Sequence, residues 1–169
     1  GQDVILLGAG GAARAVAFLC ASKGVNKVYL LNRSLEKALI VAEEVNRKAG
    51  RECIYPMALA EYKYLPEKSF LAIQATSVGL YPEIERAVIE EQDFYSRIHT
   101  GYDLIYKPAD TKFMQLVRKR GGRAFHGLKM LLYQGVIAYE LWNHVSVSEE
   151  TALQVYEVLK EKMGIKESS

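Results

Sequence analysis

The sequence has few of the features that mark secreted, membrane-spanning or metal-binding proteins. Only two of its 169 residues are cysteine, Cys20 and Cys53, and neither belongs to a CxxC pair or a Cys/His cluster. We therefore predict buried thiols rather than disulfides or metal ligands. The sequence contains no run of roughly 18 apolar residues, the length that a transmembrane helix needs. The first residues also lack the basic and apolar layout of a signal peptide. These absences predict a cytoplasmic protein without membrane contact.

Charge of either sign is not in excess. The 22 basic side chains are nearly balanced by 20 acidic ones, so the formal net charge is +2. This balance gives no electrostatic reason to expect nucleic acid as a partner. Half of the residues are hydrophobic and a quarter are charged, which is typical of a globular domain long enough to bury a core.

A glycine-rich turn near the start is the strongest local pattern. The apolar run Val4–Leu7 leads directly into the sequence GAGGAARA, which begins at Gly8. We predict a strand, a nucleotide-binding turn and a helix over 12–22, because the backbone must reverse tightly at Gly8 and approach a pyrophosphate at Gly10. The unpaired amides of the helix would then point at the anion. Such a turn also occurs as a plain connection between a strand and a helix.

Strand-like and helix-like segments alternate along the rest of the chain. The predicted strands are 25–31, 51–56, 69–74, 101–106 and 123–125. The predicted helices are 34–49, 111–119, 128–143 and 148–163, with a short helix within 90–97. This order predicts an α/β fold, with a Rossmann-like, doubly wound, mainly parallel six-stranded sheet followed by C-terminal helices. We assign no chemistry to the charged, loosely patterned region 81–100.

The end of the second predicted strand indicates which dinucleotide would bind. An acidic residue at this position selects NAD, whereas an Arg accommodates the 2′-phosphate of NADP. The strand ends in Asn32, Arg33 and Ser34, with Lys37 one turn later and no acidic residue before them. We therefore predict NADP, with Arg33 as a planar donor and Lys37 as a point charge. Alternatively, both are solvated surface charges.

Five stretches together resemble the motif series of the shikimate dehydrogenase family, in the same order and spacing along nearly the whole chain. They are GAGGAARA from Gly8, NRS from Asn32, ATSVG from Ala75, YDLIYKPADT from Tyr102 and GLKMLLYQ from Gly127. The chain departs from the family pattern at Gln74, where Asn is usual, which leaves the hydrogen bonds of the next loop open. The resemblance implies NADP-dependent reduction of 3-dehydroshikimate to shikimate, a step of aromatic amino acid biosynthesis.

The resemblance also implies roles for individual residues. Those expected around the pyrophosphate turn are Gly8, Gly10, Gly11 and Ala12. Those expected at the adenosine 2′-phosphate are Asn32, Arg33, Ser34 and Lys37. Those expected along the cofactor and at its nicotinamide end are Thr76, Ser77, Gly127 and Met130. Those expected at shikimate are Tyr106 and Gln134.

Several of these residues have structural alternatives. Thr76 and Ser77 could be turn formers and Met130 a core residue. For Gln134, an amide on an apolar helix is costly to bury without partners, which favours a position facing a ligand cleft.

The resemblance implies that the catalytic groups lie elsewhere. The family's catalytic Lys and Asp belong to a substrate domain that precedes the glycine turn, and no residue here can be assigned either role. Asp103 is interpreted as structural because an Asp in this position commonly holds a turn or a helix end. We expect an NADP-binding core over 1–127, and helices over 128–169 that pack on it and towards an upstream substrate domain.

Other functions remain open on the sequence alone. A quinate/shikimate dehydrogenase or an NAD-dependent paralogue would share these motifs. A non-catalytic dinucleotide-binding module would share the glycine turn, as would a methyltransferase, although the latter is expected to carry an acidic residue where Asn32 and Arg33 stand. No catalytic residue, metal site or oligomeric state is predicted.

Overall fold

The computed structural model describes residues 2–165 and contains a six-stranded sheet. Its strands are Val4–Leu7 (β1), Val28–Asn32 (β2), Ile54–Ala58 (β3), Phe70–Gln74 (β4), Ile98–Asp103 (β5) and Arg123–Phe125 (β6). The strand order is β3-β2-β1-β4-β5-β6, and every neighbouring pair is parallel. The predicted α/β fold with a Rossmann-like parallel sheet is confirmed.

Helices lie between most of the strands, because parallel pairing requires crossover connections, and two more helices follow β6. The helices are Gly11–Ser22 (α1), Leu35–Ala49 (α2), Gln92–Tyr95 (α3), Lys112–Lys119 (α4), Leu128–Asn143 (α5) and Glu149–Lys162 (α6). A 3-10 helix, Leu59–Tyr64, follows β3. In the described residues no helix has both the length and the apolar character needed to cross a membrane.

Both faces of the sheet are buried, and the side chains of β1 alternate between two apolar clusters. Ile5 and Leu7 pack with Phe70, Phe94 and other aromatic side chains on one face. Val4 and Leu6 pack on the other face with small residues of α1 and α2, which let these helices lie close to the sheet. Burial on both faces explains why β1 is a continuous apolar run rather than an alternating one.

Three predicted strands begin three residues away from the predicted position. β2 begins at Val28 rather than at 25, because the Val25 amide donates to the Cys20 carbonyl (3.1 Å) and completes the end of α1. β3 begins at Ile54 rather than at 51, because the Asn46 side chain accepts from the amides of both Cys53 (3.0 Å) and Ile54 (2.9 Å). These side-chain and turn bonds hold the chain before each strand begins.

The third shift concerns a predicted site residue. β5 spans Ile98–Asp103 rather than 101–106. The Ile105 amide donates to the Asp103 carboxylate (2.9 Å), which turns the chain away from the sheet. Tyr106 therefore lies beyond the strand, half-buried in the loop that leads to α4.

The chain divides into two compact units, with the boundary between His126 and Gly127. The first unit contains the whole sheet and α1 to α4. The second contains α5 and α6, which pack against each other. The expected packing of these two helices on the core stays a prediction.

Gly8 and Gly11 predict opposite responses to the same substitution. Gly8 has a φ of 110°, and a Cβ there would lie 2.9 Å from the Ala75 carbonyl oxygen, so Gly8→Ala should lower the free energy of unfolding by about 2–4 kcal/mol. Gly11 is the first residue of α1 with open space around it. Gly11→Ala should therefore leave stability unchanged or raise it by up to about 1 kcal/mol. Urea unfolding measures both, and equal losses would contradict this reading of the turn.

Candidate functional site

A cavity of about 450 Å³ opens where β1, β2 and β4 end. Gly8 lines it directly after β1, Asn32 and Arg33 at the end of β2 and just beyond it, and Thr76 and Ser77 from the loop after β4. The structure thus brings five of the predicted cofactor residues around one space. Their binding of a cofactor stays a prediction, but they share the edge of the sheet where ligands of open α/β folds lie.

The strand order brings these loops together. β1 pairs with β2 on one side and with β4 on the other, so the chain changes direction across the sheet at β1. The Gly8 amide donates to the Leu31 carbonyl (2.9 Å), and the Ala75 amide donates to the Leu7 carbonyl (2.9 Å). Because Gly8 has no side chain, the loop after β4 can pass directly beside it.

The N-terminus of α1 forms a second part of the predicted site. Gly10 is the N-cap, and Gly10, Gly11 and Ala12 are exposed. The first turn carries no acidic side chain, and no described atom outside the adjoining backbone lies within 4 Å of a Cβ placed at Gly10 or Gly11. The unpaired amides and the positive end of the helix dipole therefore face open space that can accept an anion. These three residues do not line the 450 Å³ cavity.

The predicted 2′-phosphate residues divide between the cavity and the start of α2. Asn32 donates to the Ser34 carbonyl (2.9 Å) and so shapes the turn that presents Arg33, which is exposed and lines the cavity. Ser34 is the N-cap of α2, and its hydroxyl accepts from the Lys37 amide (3.4 Å). Ser34 and Lys37 do not line the cavity, so the observed role of Ser34 is to begin the helix.

A buried hydrogen-bond network lies behind the loop after β4. Gln74 and Asp103 are register partners on β4 and β5, so their side chains lie next to each other. The Gln74 amide nitrogen donates to the Val78 carbonyl (3.0 Å) and to the Asp103 carboxylate (3.3 Å), while its oxygen accepts from the Thr76 amide (2.5 Å). Gln74 therefore supplies the hydrogen bonds that its departure from the family pattern left open.

Asp103 connects this network to α4. Its carboxylate accepts from the Ile105 amide and from the Thr111 hydroxyl (2.6 Å), and Thr111 is the N-cap of α4. Gln74, Asp103 and Thr111 are all buried, and Asp103 does not line the cavity. These contacts agree with a structural role for Asp103, since its carboxylate holds one turn and the beginning of one helix.

Burial raises the pKa of Asp103 from 3.8 to about 6, although the hydrogen bonds from Thr111, Ile105 and Gln74 act in the opposite direction. Removing a carboxylate from water disfavours its charged form. The three donors limit this cost because they take the place of water around the ionised group. The network therefore keeps the ionisable Asp103 carboxylate buried beneath the loops at the edge of the sheet, where it does not contact the cavity.

Three further predicted residues lie in the second unit. Gly127 is buried and is the N-cap of α5, and Met130 is 38% exposed in the first turn of that helix. Gln134 is exposed. The expectation that Gln134 faces a ligand cleft stays a prediction, since α5 leaves this side chain at the surface of its unit. The ligand roles of Gly127, Met130 and Gln134 stay predictions.

Sequence reasoning missed part of the cavity wall. The residues not predicted for this site that line it are Leu31, Leu59, Val78, Glu83, Arg86, Ala87 and Val88. Four of them come from region 81–100, to which no chemistry was assigned. One sequence feature could have indicated these residues. Glu83 and Arg86 are opposite charges three residues apart, and they follow shortly after Thr76 and Ser77. Periodicity could not reveal them because this segment has no long helix or strand.

The strand order and the glycine turn at β1 define a Rossmann-type α/β domain. Residues 1–82 match the family model for shikimate / quinate 5-dehydrogenase. The chain is similar to shikimate dehydrogenases along nearly its whole length, and it spans about half the length of the curated relatives it matches.

The individual relatives show this similarity. The chain is 38% identical to an NADP(+) shikimate dehydrogenase of Moorella thermoacetica over 97% of the chain and 55% of that protein. A solved shikimate dehydrogenase in complex with NADP+ matches with a TM-score of 0.78 and 29% identity, over 96% of this chain and 55% of the other. A Listeria monocytogenes shikimate 5-dehydrogenase in complex with shikimate and NAD matches with a TM-score of 0.79 and 26% identity, over 92% and 55%.

The raised pKa of Asp103 predicts a pH dependence of stability. Between pH 3.8 and about 6 the folded chain holds this proton more tightly than the unfolded chain, so the contribution of Asp103 to stability falls as pH rises through that range. Asp103→Asn removes this dependence. At each pH we compare the free energy of unfolding of Asp103→Asn with that of the original chain. The variant's value minus the original's should rise by up to about 3 kcal/mol from about pH 4 to about pH 7.

Urea unfolding at both pH values measures this difference. Glu67→Gln is the matched control, because it removes an exposed carboxylate on the surface of the same unit. A difference for Asp103→Asn that stays constant between the two pH values would contradict the raised pKa.

Proposed function

We propose that this chain is the NADP-binding part of a shikimate dehydrogenase. The observation that carries the proposal is the position of Arg33 on the cavity wall at the end of β2, next to Asn32 and opposite the loop after β4. An acidic side chain would stand at this position in a site for the unphosphorylated ribose of NAD. The names of the related proteins, including one in complex with NADP+, support the same cofactor.

The residues present fit such a dinucleotide. Arg33 offers the planar donor group that suits a phosphate. The open amides of Gly10 and Gly11 offer a second anion site at the start of α1, suited to the pyrophosphate. Gly8 and the apolar side chains of Leu31 and Leu59 line the same cavity as Arg33, which suits it to hold the adenosine.

The reaction proposed for the complete enzyme is hydride transfer between NADPH and 3-dehydroshikimate, which yields shikimate for aromatic amino acid biosynthesis. The cofactor supplies the hydride. Tyr106 and Gln134 are proposed to contact the substrate, and Gly127 and Met130 the nicotinamide end. Because no residue of this chain matches the family's catalytic Lys and Asp, we assign the proton transfer to the part of the relatives that this chain does not span. A cytoplasmic location also stays a prediction.

A second candidate is a dehydrogenase that uses NAD or acts on quinate. The matching family model covers both shikimate and quinate enzymes, and the Listeria relative was solved with NAD. Arg33 separates the two cofactors, because its cation attracts a 2′-phosphate and has no acceptor for ribose hydroxyls.

Substituting Arg33 tests the choice of cofactor. The chain should bind NADPH more tightly than NADH, and Arg33→Ala should weaken NADPH binding about 10- to 100-fold with little effect on NADH, since a charge-assisted hydrogen bond is worth about 1.5–3 kcal/mol. Calorimetric titration measures both ligands. Arg123→Ala is the matched control because Arg123 is exposed on the edge strand β6 and does not line the cavity. Equal affinity for the two cofactors would favour the NAD candidate.

The location of the catalytic groups has its own test. Residues 1–169 mixed with shikimate and NADP+ should bind the cofactor and yet form no NADPH, because the proposed proton-transfer groups are outside this chain. The absorbance of reduced nicotinamide reports product. Turnover by this chain alone would show that the catalytic residues lie within it.

A further inference from the structure

We propose that Arg86 is a second cationic ligand of the adenosine 2′-phosphate, and that Glu83 holds its guanidinium until that phosphate arrives. This inference rests on the proposed function, because it names a specificity residue of the same site. Arg86 and Glu83 both line the cavity that contains Arg33. Neither was expected at the site from the sequence.

The composition of the cavity wall indicates which end of the dinucleotide Arg86 would meet. Asn32 and Arg33, which follow β2, line this cavity, whereas Gly10 and Gly11 at the start of α1 do not. Gly10 and Gly11, whose amides suit the pyrophosphate, are outside the lining, and of the residues expected at the 2′-phosphate Asn32 and Arg33 are inside it. We therefore assign Arg86, which shares this wall with Arg33, to the adenosine end.

The backbone around Arg86 is anchored although its side chain is exposed. The Arg86 amide donates to the Glu83 carbonyl (3.1 Å), forming a turn, and Ala87 and Ile89 are buried in the aromatic cluster. The buried Tyr95 hydroxyl donates to the Ile89 carbonyl (2.5 Å). The Arg86 carbonyl also lies 3.7 Å from the position a Cβ would take on Gly79. The segment is thereby held next to the loop of Thr76 and Ser77, and only the long side chain is free to move.

The present partners of Arg86 can be exchanged at small cost. Its guanidinium lies 3.3 Å from the Glu83 carboxylate and 4.0 Å from the Glu90 carboxylate, and the three side chains are 65%, 53% and 58% exposed. Ion pairs this exposed contribute little to stability. A phosphate monoester carries more charge than a carboxylate and offers three acceptor oxygens, so it competes well for a planar guanidinium.

Glu83 and Arg86 have opposite effects on the binding of a phosphate in this cavity. The charged residues in the lining are Arg33, Glu83 and Arg86, so the wall carries one net positive charge with Arg86 and none without it. Glu83 repels a phosphate and restrains Arg86 at the same time. Arg86 therefore contributes to affinity for the phosphorylated cofactor, and Glu83 opposes it.

Two charge-neutral variants test the proposal by titration with NADPH, NADH and adenosine 2′,5′-bisphosphate. Arg86→Gln should weaken NADPH and the bisphosphate about 5- to 20-fold and leave NADH unchanged. Glu83→Gln should tighten both phosphorylated ligands about 2- to 5-fold, because it removes a repulsion and frees Arg86. Arg123→Gln, outside the cavity, should change none of the three.

The outcomes separate this inference from the proposed function. If the original chain binds NADPH no more tightly than NADH, the proposed cofactor fails. If it prefers NADPH through Arg33 while Arg86→Gln keeps the same preference, only the role of Arg86 is overturned. Equal weakening of NADPH and NADH in Arg86→Gln would assign Arg86 to the pyrophosphate and overturn the inference, as would weaker NADPH binding in Glu83→Gln.

Discussion

The close approach between Gly8 and the loop after β4 is the constraint on which the rest of the ligand edge depends. A side chain at position 8 would collide with the Ala75 carbonyl and the Thr76 methyl group. Because glycine stands there, the ends of β1 and β4 can lie side by side at the point where the strand order reverses. The glycine turn is therefore needed for packing within the protein as well as for the proposed approach of a pyrophosphate.

The polar groups behind this edge are paired with one another. Gln74 and Asp103 sit in register on neighbouring strands, and Thr111 joins them from the start of α4. Together they hold the loop that lines the cavity and the loop that contains Tyr106. A buried polar network is stable only when its members have partners, and each of these three side chains has one. The result is a pair of loops held at the sheet edge by the fold itself.

The cavity in front of this network has a mixed electrostatic character. Arg33 is exposed and unopposed within the wall, whereas Arg86 is balanced by Glu83. The related proteins are named for NADP, and one solved relative contains NAD. Under the proposed function, these surface charges set the cofactor preference. They can vary without disturbing the sheet, because exposed ion pairs contribute little to folding.

The class of fold could be predicted from the sequence, since apolar runs, helix caps and glycine positions are local signals. The sequence also predicted Gly8, Asn32, Arg33, Thr76 and Ser77, because the ends of parallel strands meet at one edge. It failed at the end of β5, because the Asp103 carboxylate accepts from the Ile105 amide two residues later and turns the chain there, and such a side-chain bond leaves no trace in the hydrophobic pattern. The exposure of Gln134, the partners of Gln74 and the presence of Arg86 in the cavity wall emerge only in the folded chain, because each depends on segments distant in sequence or on a loop without periodicity.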